Sequence, residues 1–241
     1  MKAKTTTMAI AAGLLAAWLG AAWAADATSR PSQPASRGPA TSQSDKVRLP
    51  LELPKPRFEG TPKNLPAGTT VDPNEKLPPF YAPRNVQNVA LHKTVTSSDP
   101  ALITGELKMI TDGDKEAQEG SFVELRPGRQ WVQVDLGKEY PVYAVAVWHY
   151  HLDARVYHDV VVQLSDDADF VANVRTVYND DQDNSSGLGL GKDREYFETF
   201  RGRVIDCKGQ KARYVRCYSK GSTADDFNHY TEIEVYALQG K

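Results

Sequence analysis

From about Asn85 onward the apolar residues fall into short runs that alternate with polar ones, and each run is closed by turn residues. In "WVQVDL" the positions Val132, Val134 and Leu136 share one face, and Trp131, Gln133 and Asp135 the other. In "TEIEVYAL" the positions Ile233, Val235 and Ala237 face one way, and Glu232 and Glu234 the opposite way. "VYAVAVW", "DVVVQLS", "VRTVY" and "ARYVRCYS" continue the series, and no window keeps a period of 3.6. A period of two marks half-buried strands. Strands in sequence without helices between them predict an all-β antiparallel sandwich or barrel, and about 155 residues suffice for one core.

Before Asn85 this alternation is absent. Of fifteen prolines, twelve lie between Pro31 and Pro83. Residues 25 to about 46 carry almost no large apolar side chains and cannot bury enough surface to offset their ordering entropy, which predicts a disordered tether. Residues 47–84 remain Pro-rich but carry Leu49, Leu51, Leu53, Phe58, Leu65, Phe80 and Tyr81. They read either as an extended arm lying against the domain or as a plain linker. The predicted organisation is thus a leader over 1–24, a Pro-rich tether and arm over 25–84, and one β domain over 85–241.

The leader assignment rests on Lys2 and Lys4, an apolar run from Met8 to Ala22, and Ala22-Trp23-Ala24 as a small-x-small cleavage signal. The expected mature chain begins at Ala25 and is secreted or periplasmic. No later stretch has the length of a spanning helix. Loss of the leader removes two lysines and no acid, moving the formal charge from −2 to −4. Phosphate recognition needs clustered Lys and Arg, so nucleic acid is excluded as a partner. Export permits a bridge between Cys207 and Cys217. A hairpin turning at residues 208–211 would leave them out of register, whereas strands in opposite sheets would remove that objection.

Six landmarks occur in order: "NVALHKTVTSSD" from Asn88, "ITDGD" from Ile110, "QWVQVDLGKEY" from Gln130, "VVVQLSDDADF" from Val160, "KARYVRCYS" from Lys211 and "TEIEVYAL" from Thr231. Together they resemble the F5/8 type C, or discoidin-like, family across residues 85 to 240. The resemblance implies a galactose-binding-like jelly-roll β-sandwich and a non-catalytic binding module whose ligand meets loops at one end. Fold alone does not choose the ligand, since function resides in the loops.

Asp112 and Asp114 flank Gly113 in a tight acidic loop, but calcium takes six to eight oxygens, so a distant contributor is needed. The resemblance supplies one. Glu232 matches a glutamate that enters the last strand in many members. The implied calcium shell is Asp112 and Glu232 through side chains, with Met109, Asp114, Ser121 and Thr231 giving mainly backbone oxygens. The plainer alternative is an Asx turn with solvated carboxylates. A second acidic stretch from Asn179, "NDDQDNSSGLGLGKD", lacks the glycine and glutamate of a helix-flanked calcium loop and reads as a long surface loop.

Three of the five histidines, His149, His151 and His158, lie within ten residues of one another. Continued alternation places Val147, His149 and His151 on one face and Trp148, Tyr150 and Leu152 on the other. The resemblance implies a carbohydrate site in this loop: His149, His151 and Arg155 as polar donors, with Tyr150 and Tyr157 as flat apolar partners. Two other readings stay open. The module binds a protein partner in cell-surface adhesion, or His149 and His151 join His158 or His229 around a transition metal in an enzyme. No nucleophile elbow or zinc-type helix motif is present.

Overall fold

The computed structural model describes residues 45–57 and 78–239. The leader and residues 25–44 of the tether lie outside them. Among the described residues the regular structure is eleven strands and a short 3-10 helix, Leu107–Thr111: β1 Lys46–Arg48, β2 Tyr81–Pro83, β3 Val86–Asn88, β4 Thr94–Ser97, β5 Val123–Leu125, β6 Gln130–Trp148, β7 Val161–Ser165, β8 Arg175–Asn179, β9 Arg203–Ser219, β10 Asn228–Tyr230 and β11 Glu232–Leu238. All their pairings are antiparallel. The main sheet runs β3-β11-β6-β9-β7-β8 with β4 also on β6, and two ribbons, β1-β2 and β5-β10, complete the set.

The two long strands explain how a single hydrogen-bonded sheet encloses a core. β6 pairs through residues 132–135 with β4 and through 130–135 with 214–219 of β9, then through residues 142–148 with β11 and through 140–147 with 203–212 of β9. Its register breaks between Asp135 and Tyr140, where Gly137 takes φ +86° and its N–H donates to Asp135 Oδ1 at 2.8 Å. The two halves therefore belong to two layers. Val132, Val134 and Leu136 from one half and Val142, Val145 and Val147 from the other enter the same core cluster. Ile233, Val235 and Ala237 join it, as the alternation predicts.

The segment around the cysteines is one strand with a bulge, not a hairpin. Lys208 and Gly209 take positive φ, and Ala212 faces Tyr140. Cys207 and Cys217 fall in opposite halves of β9, both buried and both free thiols. Burial pushes the Cys207 thiol up to about 12, with Asp206 adding to it.

The outer face of the β11–β6 layer is covered. Ala144, Ala146, Trp148 and Tyr236 pack with Leu49, Ala82 and Val86 in a second apolar cluster. Alanines on this face admit a close neighbour, and the β1-β2 ribbon fills that space, with Leu49 N–H donating to the Phe80 carbonyl at 2.8 Å. Residues 45–57 and 78–84 thus lie on the sheet. No helix among the described residues is long and apolar enough to cross a membrane.

Candidate functional site

β5 and β10 pair with His229 opposite Glu124, which aims both side chains to one end of the sandwich. The segment that leaves β6 arrives at the same place. Its course is fixed on both sides: Glu198 N–H donates to the Arg155 carbonyl at 3.0 Å, and Thr223 N–H to the Val156 carbonyl at 2.9 Å. Val156 pairs with Phe197 and Tyr157 with Ser222 in isolated bridges.

Around this junction seven side chains meet. Arg155 donates from Nε and Nη2 to the two oxygens of Asp153 at 2.7 and 2.8 Å, and from Nη1 to Asp225 Oδ2 at 3.2 Å. Its guanidinium lies 4.6 Å from the Tyr150 ring centre, and Phe122 meets Tyr150 edge-on at 5.1 Å. Arg155 Nη1 is 3.4 Å from His229 Nδ1, and His229 Nε2 is 3.1 Å from Glu124 Oε2. Burial, then the Arg155 charge, push the His229 ring down to about 4. The ring is therefore neutral at pH 7, with Nδ1 accepting from Arg155 and the Nε2 proton donated to Glu124. Burial works against the Arg155 charge, but Asp153 and Asp225 more than offset it and hold it above the usual range. Glu124 is held above its ordinary value by burial and then by Asp225.

Exposure divides the roles. The Arg155 side chain is only 7% exposed, whereas Asp153 is 51% and Asp225 34% exposed. Arg155 is thus a clamp that holds two carboxylates outward, where the sequence reading made it a donor at the surface. Tyr150 and Phe122 are half-buried and leave part of each ring accessible.

The other sugar residues expected from the sequence are not presented to solvent. His149 and His151 have no exposed surface, and Tyr157 is 2% exposed. His149 Nδ1 lies 3.0 Å from Glu198 Oε2 and 3.1 Å from the Tyr196 hydroxyl, with its ring stacked on Tyr157 at 4.4 Å. His151 Nε2 lies 2.8 Å from the Lys115 carbonyl. These side chains follow Val145 and Val147 into the interior. The transition-metal arrangement is not formed either. Among the described residues, the only His, Cys, Asp or Glu group close enough to share an ion is Asp159, Asp181 and Asp183. His158 is beside Glu195, and His229 belongs to the surface cluster.

That acidic trio is internally satisfied. Asp181 accepts from the N–H groups of Ser185 and Ser186 at 3.0 and 2.9 Å and from the Ser186 hydroxyl, and Asp159 accepts from the Ser185 hydroxyl at 2.6 Å. Outward, the loop bonds Lys220 and Arg129.

The proposed calcium residues divide into two contacts. Gly113 N–H donates to Glu232 Oε2 at 3.1 Å, tying the early loop to the last strand, and Ser121 Oγ donates to Asp114 Oδ2 at 2.7 Å. Asp112 and Asp114 are exposed, Met109 and Ser121 half-buried, and Thr231 and Glu232 fully buried. Thr231 turns its hydroxyl to the His149 carbonyl at 3.1 Å. Glu232 Oε1 is buried without a partner.

Phe122, Glu124 and Asp225 escape a sequence reading because their partners lie about 30 to 100 residues apart and β5 and β10 are three residues each. The local clue was "HLDAR", where Asp153 and Arg155 sit at strand-like i, i+2 spacing.

Solved structures provide the comparison. Chitosan-binding module 1 of a chitosanase/glucanase from Paenibacillus sp. IK-5 is 23% identical, with a TM-score of 0.46 over 63% of this chain and 99% of that module. This chain is similar in fold to that module. A Streptococcus pneumoniae fucose-binding module, SpX-3, is 17% identical, with a TM-score of 0.45 over 64% of this chain and 99% of its own. A family 89 glycoside hydrolase from Clostridium perfringens is 18% identical, with a TM-score of 0.48 over 63% of this chain but 15% of the hydrolase. No family model and no curated protein matches.

Proposed function

We propose that the chain is a non-catalytic carbohydrate-binding module whose ligand rests on Tyr150 and Phe122 and donates hydrogen bonds from its hydroxyls to Asp153, Asp225 and Glu124. The observation that carries this reading is the pairing of two half-exposed rings with carboxylates held outward by a nearly buried arginine. A sugar offers both an apolar C–H face and a fan of hydroxyl donors. Carboxylates fixed by charge-assisted bonds accept adjacent hydroxyls without reorganising. Hydrolysis would need one carboxyl group loaded with a proton beside a free carboxylate. Arg155 instead binds both Asp153 and Asp225, and His229 occupies Glu124. Export through the leader at 1–24 belongs to the same reading.

Calcium would sit between the 109–121 loop and the start of β11. The unpartnered, buried Glu232 Oε1 fits a cation, and the exposed Asp112 and Asp114 lie in the adjoining loop. The shell would draw its remaining oxygens from the backbone of Met109, Asp114, Ser121 and Thr231. When bound, the ion ties the end of the chain to an early loop.

The test is a glycan and polysaccharide array with the whole chain, followed by titration calorimetry on any hit, alongside Asp153→Asn/Asp225→Asn. Binding by the parent and its loss in a variant that melts normally is the expected result. An array without a hit, or a variant that binds as the parent does, overturns the site.

A further inference from the structure

We propose that the groove between the Pro-rich arm and the start of β9 docks an acidic, extended peptide segment of a partner protein. The groove encloses about 800 Å³, within the range of ligand clefts, and lies beside the second apolar cluster, away from the Arg155 site. Leu51, Leu53 and Phe80 with Pro50, Pro78 and Pro79 form its apolar wall. Leu53 is 47% exposed and the neighbouring Tyr81 54%, so large apolar side chains face water along this strip.

Among the described residues, the charged side chains that line the groove are Arg48, Arg201 and Arg203. Glu52, exposed between Leu51 and Leu53, is not among the described lining residues. Arg203 turns its guanidinium over the Tyr196 ring at 4.2 Å, against the main core cluster, so the exposed Arg48 is the lining cation most open to a ligand. An exposed cation beside aliphatic surface suits a carboxylate carried next to apolar side chains. A peptide alternating Asp or Glu with Leu or Phe has that chemistry. A polysaccharide acid would set hydroxyls against Leu51 and Leu53 and leave them unpaired, at a cost in affinity. The prolines fix the rim in extended form, so less ordering is needed on binding.

The experiment measures fluorescence polarisation of two labelled heptapeptides, DLDFDLD and KLKFKLK, with the whole chain at about 50 and about 300 mM salt. The acidic peptide is expected to bind, more weakly at the higher salt, and the basic one not to bind. Arg48→Glu and, separately, Leu53→Asp should each weaken binding by about fivefold or more while the melting temperature stays put, since both side chains are substantially exposed. Equal binding of the two peptides, no binding of the acidic one up to about 1 mM, or unchanged binding in both variants overturns the proposal. Two further results would reassign the groove and also overturn it. One is binding of an oligouronate, lost in these variants, when the peptide fails. The other is self-association of the parent chain that Arg48→Glu abolishes, which would give the groove to a second copy.

Discussion

Asp180 is 2% exposed, and its burial, with the fields of Glu195 and Asp159, pushes the carboxyl from 3.8 up to about 8. Its Oδ1 accepts the Val160 N–H at 2.7 Å, and its Oδ2 lies 3.3 Å from the Tyr178 oxygen, while that hydroxyl donates to the Arg194 carbonyl at 2.6 Å. A protonated Asp180 can therefore donate to Tyr178 and complete the chain. Asn in place of Asp reproduces both bonds, since its carbonyl accepts from Val160 and its amide donates to Tyr178. The folded-state value lies above the unfolded one, so the group contributes most to stability below 3.8 and loses that contribution as pH rises towards 8. At pH 7 the loss amounts to about three pH units, a ceiling of about 4 kcal/mol that solvent relaxation will reduce. Urea unfolding of parent and Asp180→Asn across pH 4 to 8 at fixed ionic strength measures it, because the titrations of groups remote from Asp180 cancel in the difference. The variant should match the parent near pH 4 and exceed it by about 1–3 kcal/mol at pH 7. A variant less stable than the parent by the same amount at every pH would refute the reasoning and show that Asp180 is ionised throughout.

Gly202 takes φ +60°, and an added Cβ would lie 2.6 Å from the Trp148 ring, which is fully buried, so Gly202→Ala should cost about 2 kcal/mol or more and change tryptophan fluorescence. Calcium should raise the melting temperature of the parent and EDTA lower it, while Glu232→Gln should lose most of this response; equal responses would remove Glu232 from the shell. Arg155→Lys keeps the charge but loses the two-pronged hold on Asp153, so affinity for any bound glycan should fall by about tenfold, with near-parental far-ultraviolet dichroism.

The strands were legible because one face of each meets a dry core and the other does not. Val132, Val134, Leu136, Ile233, Val235 and Ala237 all lie where the period of two put them. That same rule carried His149 and His151 inward behind Val145 and Val147, so their burial was written in the pattern. Reading β6 as a strand ending in a loop hid it, because polar residues were assumed to have reached water. The covering of Ala144 and Ala146 was not legible, since it depends on an arm some 60 to 100 residues earlier in the chain. Nor was the Glu124–His229 opposition, which two three-residue strands specify only once the layers are assembled.

Because β6 and β9 each run through both layers, neither layer can be peeled away as a separate module. Any opening that frees the β4 side strips hydrogen bonds from the strand that also carries β11. Backbone amides in the two halves should therefore share one exchange rate with solvent deuterium. A protease cut in the bend at 136–139 should release the entire fold at once, while a cut in the 166–174 connection should leave it standing.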